Sequence, residues 1–194
     1  MLAEATPDIT RTEPGLESLM VGYQQADAAA AAGLIRQVSP KLYRFLAGHS
    51  ATRAWADDLL QECWLRIHRS RHTYRPGEPV LPWIYAIARH TRIDGFRRRR
   101  RIESHELAVE RLPEPASPSH SRAAVPARDL SRFIDELPES QRDVLFMMKV
   151  SGMSLQEVAG ATGSTIGAVK QKAHRAYEKL RQKLAETRPT GAAR

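Results

Sequence analysis

Cysteine is the scarcest functional residue of this 194-residue chain, and long apolar runs are missing altogether. The one cysteine, Cys63, excludes an internal disulfide and a cysteine-based zinc site, and it suggests a reducing compartment. No run of apolar residues approaches the roughly eighteen that a membrane helix needs, and residues 1–14 lack the apolar stretch of a signal peptide. We therefore expect a cytoplasmic protein that does not insert into a membrane.

Strand patterns are equally rare. No convincing alternation of apolar and polar residues occurs, and no Asn-Gly or Asp-Gly turn separates two β-branched runs. Apolar residues instead recur at three- and four-residue spacing, which predicts helices. Asp27 is placed to cap one of them, and Ser39 with Pro40 is predicted to start another, because proline is favoured at the first helical position. The pattern predicts an all-α fold.

Proline and serine divide the chain into two parts. Between residues 102 and 128 the helical periodicity fades and prolines interleave with serines, a composition typical of a flexible linker. This linker separates a helical domain at 15–101 from a smaller helical domain at 129–186. Residues 1–14 and 187–194 are predicted to be disordered ends.

The second domain contains the sharpest local signal. Ser154 and Glu157 have the spacing of a capping box, Gly163 provides a turn, and a longer helix begins near Thr165 with Ile166 predicted to face inward. A short helix, a turn and a longer helix form a helix-turn-helix, although a helical hairpin with a solvated basic face has the same spacing. The positions predicted to meet base edges and phosphates are Thr165, Gly167, Ala168, Lys170, Gln171, Lys172, His174 and Arg175.

Positive charge is concentrated in two helices rather than spread over the chain. The chain carries 30 Lys and Arg against 22 Asp and Glu, a net charge of +8, which favours a polyanionic partner. Seven arginines against one aspartate lie within 89–101, and six basic residues against one glutamate lie within 164–183. The first stretch continues a helix bearing Trp83 and Tyr85, and aromatics among cations suit stacking on unpaired bases. An arginine run can also be a solvated helix end, and Trp83 can equally be a core residue.

A polar helix face in the first domain has no catalytic pattern. Asp58, Gln61, Glu62, Leu65 and Arg66 share one side of their predicted helix. No histidine has the Glu-x-x-His spacing of a carboxylate metal site, and nucleophile, phosphate-loop and dinucleotide motifs are absent from the sequence. We predict no catalytic residue, no metal site and no cofactor, and interpret this face as a surface for a protein partner.

Three sequence segments together resemble the extracytoplasmic-function (ECF) sigma factors of bacterial RNA polymerase. Residues 58–66, DLLQECWLR, look like the segment that grips the clamp coiled coil of the largest polymerase subunit. Residues 83–90, WIYAIARH, with Asp94 and the arginine run, look like the segment that recognises and melts the minus-ten element. Residues 137–145, LPESQRDVL, with the helix-turn-helix, look like the domain that reads the minus-thirty-five element and touches the flap of the second-largest subunit.

The resemblance implies an all-α protein with sigma domain 2 at 15–101 and sigma domain 4 at 129–186. It implies core polymerase and promoter DNA as partners, with control by an anti-sigma factor, soluble or membrane-bound. Its implied polymerase-binding residues are Asp58, Gln61, Glu62, Leu65 and Arg66. Its implied minus-ten residues are His72, Tyr74 and Arg75, in a loop that would hold a flipped base, and Trp83, Tyr85, Arg89, His90, Arg92, Arg97 and Arg98.

Three departures from the family pattern bear on promoter preference. His90 stands where Asn is usual, Ser164 where an apolar residue is common, and Ala168 where Thr is common. Two other functions remain as alternatives. A stand-alone helix-turn-helix regulator would need a dimerisation surface and palindromic half-sites. A nucleic-acid-modifying enzyme would need an acid-base or metal constellation that the sequence does not contain.

Overall fold

Helices joined by short turns make up the part of the chain that the computed structural model describes, namely residues 15–50, 52–106 and 132–187. Those ranges contain no strand, so the all-α prediction is confirmed. The predicted disordered ends, apart from Thr187, and most of the predicted linker lie outside the described residues.

The helices fall into two groups, one before residue 107 and one after residue 131. The N-terminal unit contains α1 (Leu16–Gln24), α2 (Ala28–Ala47), α3 (Arg53–Ser70), a 3₁₀ turn (Arg71–Thr73) and α4 (Val80–Glu106). The C-terminal unit begins with a helical turn at 132–135 and contains α5 (Glu139–Leu145), a π-helical turn (Phe146–Val150), α6 (Leu155–Thr162) and α7 (Ile166–Thr187).

The start of α2 is capped as the sequence predicts. Asp27 Oδ1 accepts hydrogen bonds from the backbone N–H of Ala29 at 2.8 Å and of Ala30 at 3.2 Å. Two of the amides that a helix start leaves without intrahelical partners are thereby satisfied. The cap fixes where α2 departs from α1, and those two helices pack side by side.

Pro40 does not start a helix, so that prediction is wrong. It lies inside α2, which runs unbroken from Ala28 to Ala47. A proline within a helix removes one backbone hydrogen bond and costs about 3 kcal/mol. Leu34 and Val38 before it and Leu42 after it are all buried in the same core, and burying a side chain of this size stabilises by about 1.5–3 kcal/mol. Tertiary packing therefore outweighs the local break.

Cys63 lies in that core. It is fully buried among α2, α3 and α4 residues such as Phe45, Ile67 and Ile84. Burial raises the pKa of its thiol to about 12, which keeps the sulfur protonated at neutral pH. The prediction of a small buried hydrophobe rather than a redox group fits this environment.

The loop between α3 and α4 is anchored to α1. Gln24 Nε2 donates to the backbone carbonyls of Arg71 at 2.7 Å and Tyr74 at 2.8 Å. The Tyr74 hydroxyl donates to the carbonyl of Glu78, which closes the loop on itself. This loop therefore has a defined conformation where α4 begins.

The C-terminal unit contains the predicted helix-turn-helix. Ser154 and Glu157 form both bonds of the capping box, at 3.2 Å and 2.7 Å, and Gly163 adopts a left-handed φ of 60° between α6 and α7. Val169, Ala173 and Ala176 face inward on α7. Ile166 does not: it is 43% exposed, because it opens α7 one turn before the first residue that is buried.

Helix α4 is longer than the sequence suggests. It continues through the arginine run to Glu106, inside the segment predicted as linker. Arginine is a good helix former, so a run of five prolongs a helix that has already started. The arginines thus lie on one continuous helix with the rest of α4, at exposed positions.

The capping box generates a prediction about stability. Ser154→Ala removes the acceptor for the Glu157 amide and should speed hydrogen exchange of the α6 amides about fivefold, equivalent to ~1 kcal/mol. Ser154→Asp keeps a capping acceptor and should exchange like the natural protein. Equal exchange in Ser154→Ala and the natural chain would show that the cap contributes nothing.

Candidate nucleic-acid interface

The predicted partner face of α3 is on the surface. Asp58 and Gln61 are exposed and Leu65 is 45% exposed, whereas Glu62 and Arg66 are half-buried. Arg66 donates to Glu62 at 2.9 Å and, across to α4, to Asp94 at 2.7 Å. Asp58, Gln61 and Leu65 are thus open to a partner. Glu62 and Arg66 are bonded to each other, and Arg66 joins α3 to α4 through Asp94.

A groove runs beside this face between α3 and α4. It has a volume of about 560 Å³ and is lined by carboxylates of α3 on one side and by Arg98 and Arg99 of α4 on the other. Trp55 forms its end, where the indole meets Phe96 edge-on at 4.5 Å and Arg99 lies over the ring at 5.1 Å. The Arg66 hydrogen bond lowers the pKa of Asp94, so that carboxylate is ionised at neutral pH.

Three side chains are nominated in the loop predicted to hold a flipped base, and two of them are exposed at the surface. His72 and Arg75 are exposed, but Tyr74 is buried. The Tyr74 ring packs edge-on against Trp83, with centroids 5.9 Å apart, and Trp83 is half-buried at the surface. Tyr74 therefore supports the Trp83 indole from behind.

The nominated residues of α4 fall into two groups. His90, Arg97 and Arg98 are exposed, with His90 Nδ1 bonded to the Ala86 carbonyl at 2.7 Å. Tyr85 and Arg92 are fully buried, and Arg89 is half-buried. Tyr85 and Arg92 lie between Phe45 of the N-terminal unit and polar groups of the C-terminal unit.

Contacts between the two units converge on Asp143 of α5. Its carboxylate accepts from Arg92 at 2.7 Å and 3.1 Å and lies 3.0 Å from His49 Nε2 of the N-terminal unit. Arg89 stands 3.7 Å away. Burial alone would raise the pKa of Asp143, but the His49 hydrogen bond and the Arg92 charge outweigh it and lower the pKa.

Further contacts extend this seam. Arg92 also pairs with Glu139, and the Tyr85 hydroxyl bonds to the Ser151 hydroxyl. Arg142 donates to the Gly48 carbonyl at 2.8 Å. Sequence reasoning missed Glu139, Asp143 and His49 as contact residues. The sequence offers a local signal for Asp143, a carboxylate next to the apolar run at 144–148.

The outward side of α7 is open. Thr165 Oγ1 accepts from the Ala168 amide at 3.2 Å and so caps the helix start. Among the nominated residues of the helix-turn-helix, two are half-buried, Ala168 and Lys172. The exposed ones are Thr165, Gly167, Lys170, Gln171, His174 and Arg175.

Neither a metal centre nor a membrane segment appears in the described ranges. No three His, Cys, Asp or Glu side chains there are grouped so that they could hold a metal ion. Across the same residues, no helix combines the length and apolar character that spanning a bilayer requires.

Two protein-family models match successive parts of this chain. The model of Sigma-70 region 2 matches residues 34–102, and that of Sigma-70, region 4 matches residues 127–180. The RNA polymerase sigma factor CarQ of Myxococcus xanthus is 33% identical over 154 residues, which cover 79% of this chain and 88% of CarQ. The ECF RNA polymerase sigma factor SigF of Caulobacter vibrioides is 29% identical over 91% of this chain and 97% of that protein.

Solved structures show the same fold. The sigma factor RpoE of Bartonella quintana, solved with the anti-sigma factor NepR, has a TM-score of 0.64 at 23% identity, over 79% of this chain and 96% of that one. CnrH, solved with the cytosolic domain of CnrY, has a TM-score of 0.66 at 18% identity, over 88% of this chain and 97% of that one. With both sigma regions matched in order and a relative covered over most of its length, the chain belongs to the ECF sigma factors, regulators that direct promoter-specific initiation of transcription.

Proposed function

We propose that this chain binds core RNA polymerase through the open face of α3, directs it to promoters through α7, and helps to melt the minus-ten region with α4. One observation carries the proposal: the two basic helices, α4 and α7, belong to different units. The outer side of α7 and the Arg97–Arg98 end of α4 are both exposed. Two separate cationic helices suit two separate elements of one DNA.

The upstream contact is assigned to α7. A helix-turn-helix places its second helix in the major groove with its first residues on base edges. Thr165 and Gln171 can hydrogen-bond to bases, while Lys170 and Arg175 can reach bases or phosphates. Ala168 offers only a methyl group, so it can contact a thymine methyl but cannot donate a hydrogen bond.

The downstream contact is assigned to the loop after α3 and to α4. His72, Arg75 and the Trp83 indole supply cationic and aromatic surface for an unstacked base, and stacking on such a group is worth about 1–3 kcal/mol per base. Tyr74 acts through Trp83, because its ring is buried against the indole. Arg97 and Arg98 supply contacts to phosphates.

Polymerase docking is assigned to Asp58, Gln61 and Leu65, with the Glu62–Arg66 pair beside them holding α3 on α4. We assign the clamp coiled coil of the largest subunit to this face and the flap of the second-largest subunit to the C-terminal unit. A stand-alone DNA-binding regulator is not favoured, because such a protein has no use for a sigma region 2. An anti-sigma factor is the proposed regulator, as in the complexes of RpoE with NepR and CnrH with CnrY.

The docking assignment predicts that Asp58→Ala, Gln61→Ala and Leu65→Ala together weaken binding to sigma-free core polymerase at least tenfold. All three side chains are exposed, and alanine preserves the helix, so the fold should be unaffected. Fluorescence titration against purified core enzyme measures the effect. Ile35→Ala with Arg36→Ala, two exposed changes on α2, is the matched control and should bind normally. Core binding by the triple variant at natural strength would contradict the assignment.

The arginine assignment predicts a change in salt dependence. In holoenzyme bound to promoter DNA, Arg97→Ala with Arg98→Ala should reduce the slope of log K against log salt by roughly two, because two phosphate contacts no longer release counterions. Arg36→Ala with Arg44→Ala removes the same charge from exposed positions on α2 and should leave the slope unchanged. Equal slopes for the α4 double variant and the natural chain would remove α4 from the DNA contact.

A further inference from the structure

Ile166 is a large apolar side chain that stays outside the core at the start of α7. It is 43% exposed, whereas Val169, three residues later, is fully buried. A single exposed apolar residue is common on protein surfaces and carries no meaning by itself. This one, however, is the first residue of the second helix of a helix-turn-helix. The N-terminal residues of that helix are the ones that such a motif places against base edges.

Two hydrogen bonds fix the first turn of α7 around Ile166. Thr165 Oγ1 accepts from the Ala168 amide at 3.2 Å, and the Thr165 carbonyl accepts from the Val169 amide at 3.0 Å. The helical register is therefore set before any partner binds. An isoleucine in a helix has one strongly preferred χ1 rotamer, so its side chain loses little conformational freedom when a partner packs on it.

Gly167 leaves the surface beside Ile166 without a side chain. Its backbone is helical and its φ is not positive, so other residues can adopt the same conformation. Among the described residues, a Cβ at this position would meet only Thr165 Oγ1, at 3.9 Å, which is an ordinary van der Waals contact. Glycine makes a helix less stable than alanine does, and the packing of the described chain does not require it here. What glycine provides is close approach of a partner to the backbone.

The chemistry of Ile166 restricts what it can recognise on a base edge. Its side chain neither donates nor accepts a hydrogen bond. In the major groove, thymine is the base that presents an apolar group, the C5 methyl, whereas the edges of the other bases carry donors and acceptors. Covering those polar atoms with an apolar side chain leaves them without partners, which is unfavourable. An isoleucine at this position therefore favours thymine and disfavours the other three bases.

We propose that Ile166 determines part of the promoter specificity by packing on the C5 methyl of one thymine in the upstream element, in the space that Gly167 leaves open. This inference rests on the proposed function, which assigns the upstream contact to α7. Ala168 is the other apolar residue of this turn, but it is half-buried and presents only a Cβ methyl. Lys170 is exposed one turn further along and is available for the neighbouring phosphate.

The test uses holoenzyme assembled from the full chain and core polymerase. Selection from a random pool of upstream duplexes first gives the preferred element, which should contain a thymine at one fixed position. Deoxyuridine then replaces that thymine, which removes the methyl group and leaves the base pair intact. The natural chain should lose about fourfold in affinity, the effect of one buried methyl-sized group. Ile166→Ala should bind the thymine element at least about fourfold more weakly and should no longer distinguish thymine from deoxyuridine.

Two further variants control for indirect effects. Ile35→Ala removes the same side chain from a position on α2 that is 41% exposed, and it should keep the full preference for thymine. Ile166→Val keeps a branched apolar surface at the start of α7 and should keep most of the preference. Ile166→Ala is expected to fold normally, because the side chain is exposed and alanine is a better helix former than isoleucine. Thermal melting of the free chain checks this.

The contradicting outcomes separate this inference from the function on which it rests. A preferred element without a fixed thymine, or an equal loss on deoxyuridine in Ile166→Ala and the natural chain, would overturn the role of Ile166 alone. In the second case another group of α7 contacts the methyl. If the holoenzyme enriched no upstream sequence at all, the assignment of α7 to the promoter would be refuted, and this inference with it.

Discussion

The ion pair between Arg92 and Asp143 is the buried ionic contact between the two units, and it lies beside an apolar core to which both units contribute. Both side chains are buried, and Arg92 Nη1 lies 2.7 Å from Asp143 Oδ1. His49 contacts the same carboxylate and Glu139 pairs with the same guanidinium. Breaking such a pair by removing one partner costs about 3–5 kcal/mol, because the remaining charge is left unsolvated. Replacing both by apolar residues can be neutral, so what the pair contributes is the choice of partner surface more than net stability.

That cluster divides the basic surface of the protein. On α4, Arg89 and Arg92 near the seam face the Asp143 carboxylate, while Arg97 and Arg98 beyond Gly95 are exposed. On α7, Lys170 and Arg175 are exposed. The two surfaces proposed for DNA therefore differ in accessibility: α7 has most of its nominated residues exposed, whereas α4 has only part of its nominated residues exposed.

The helix caps predicted from the sequence are present in the structure, whereas Pro40 and Tyr74 differ from their predictions. Asp27 and the Ser154–Glu157 box cap helices where the sequence predicts them, because a cap depends only on neighbours within four residues. Pro40 breaks the local rule, since the residues on both sides of it are buried in one core. Tyr74 is a similar case: nominated as a surface for bases, it is buried behind Trp83 by the bonds that anchor its loop to α1.

Periodicity and composition by themselves determined that the chain is helical, that a proline-rich segment divides it, and that α6 and α7 form a helix-turn-helix with basic residues outward. These properties are encoded by neighbours within one or two helical turns, where side-chain spacing maps directly onto a helix face. Only the tertiary structure decided that Tyr85 and Arg92 are covered and that Asp143, His49 and Gly48 meet across the seam. Those contacts join residues 51, 66 and 94 positions apart. No local pattern specifies such pairings, because an arginine that binds a phosphate and one that binds a distant carboxylate have the same appearance in the sequence.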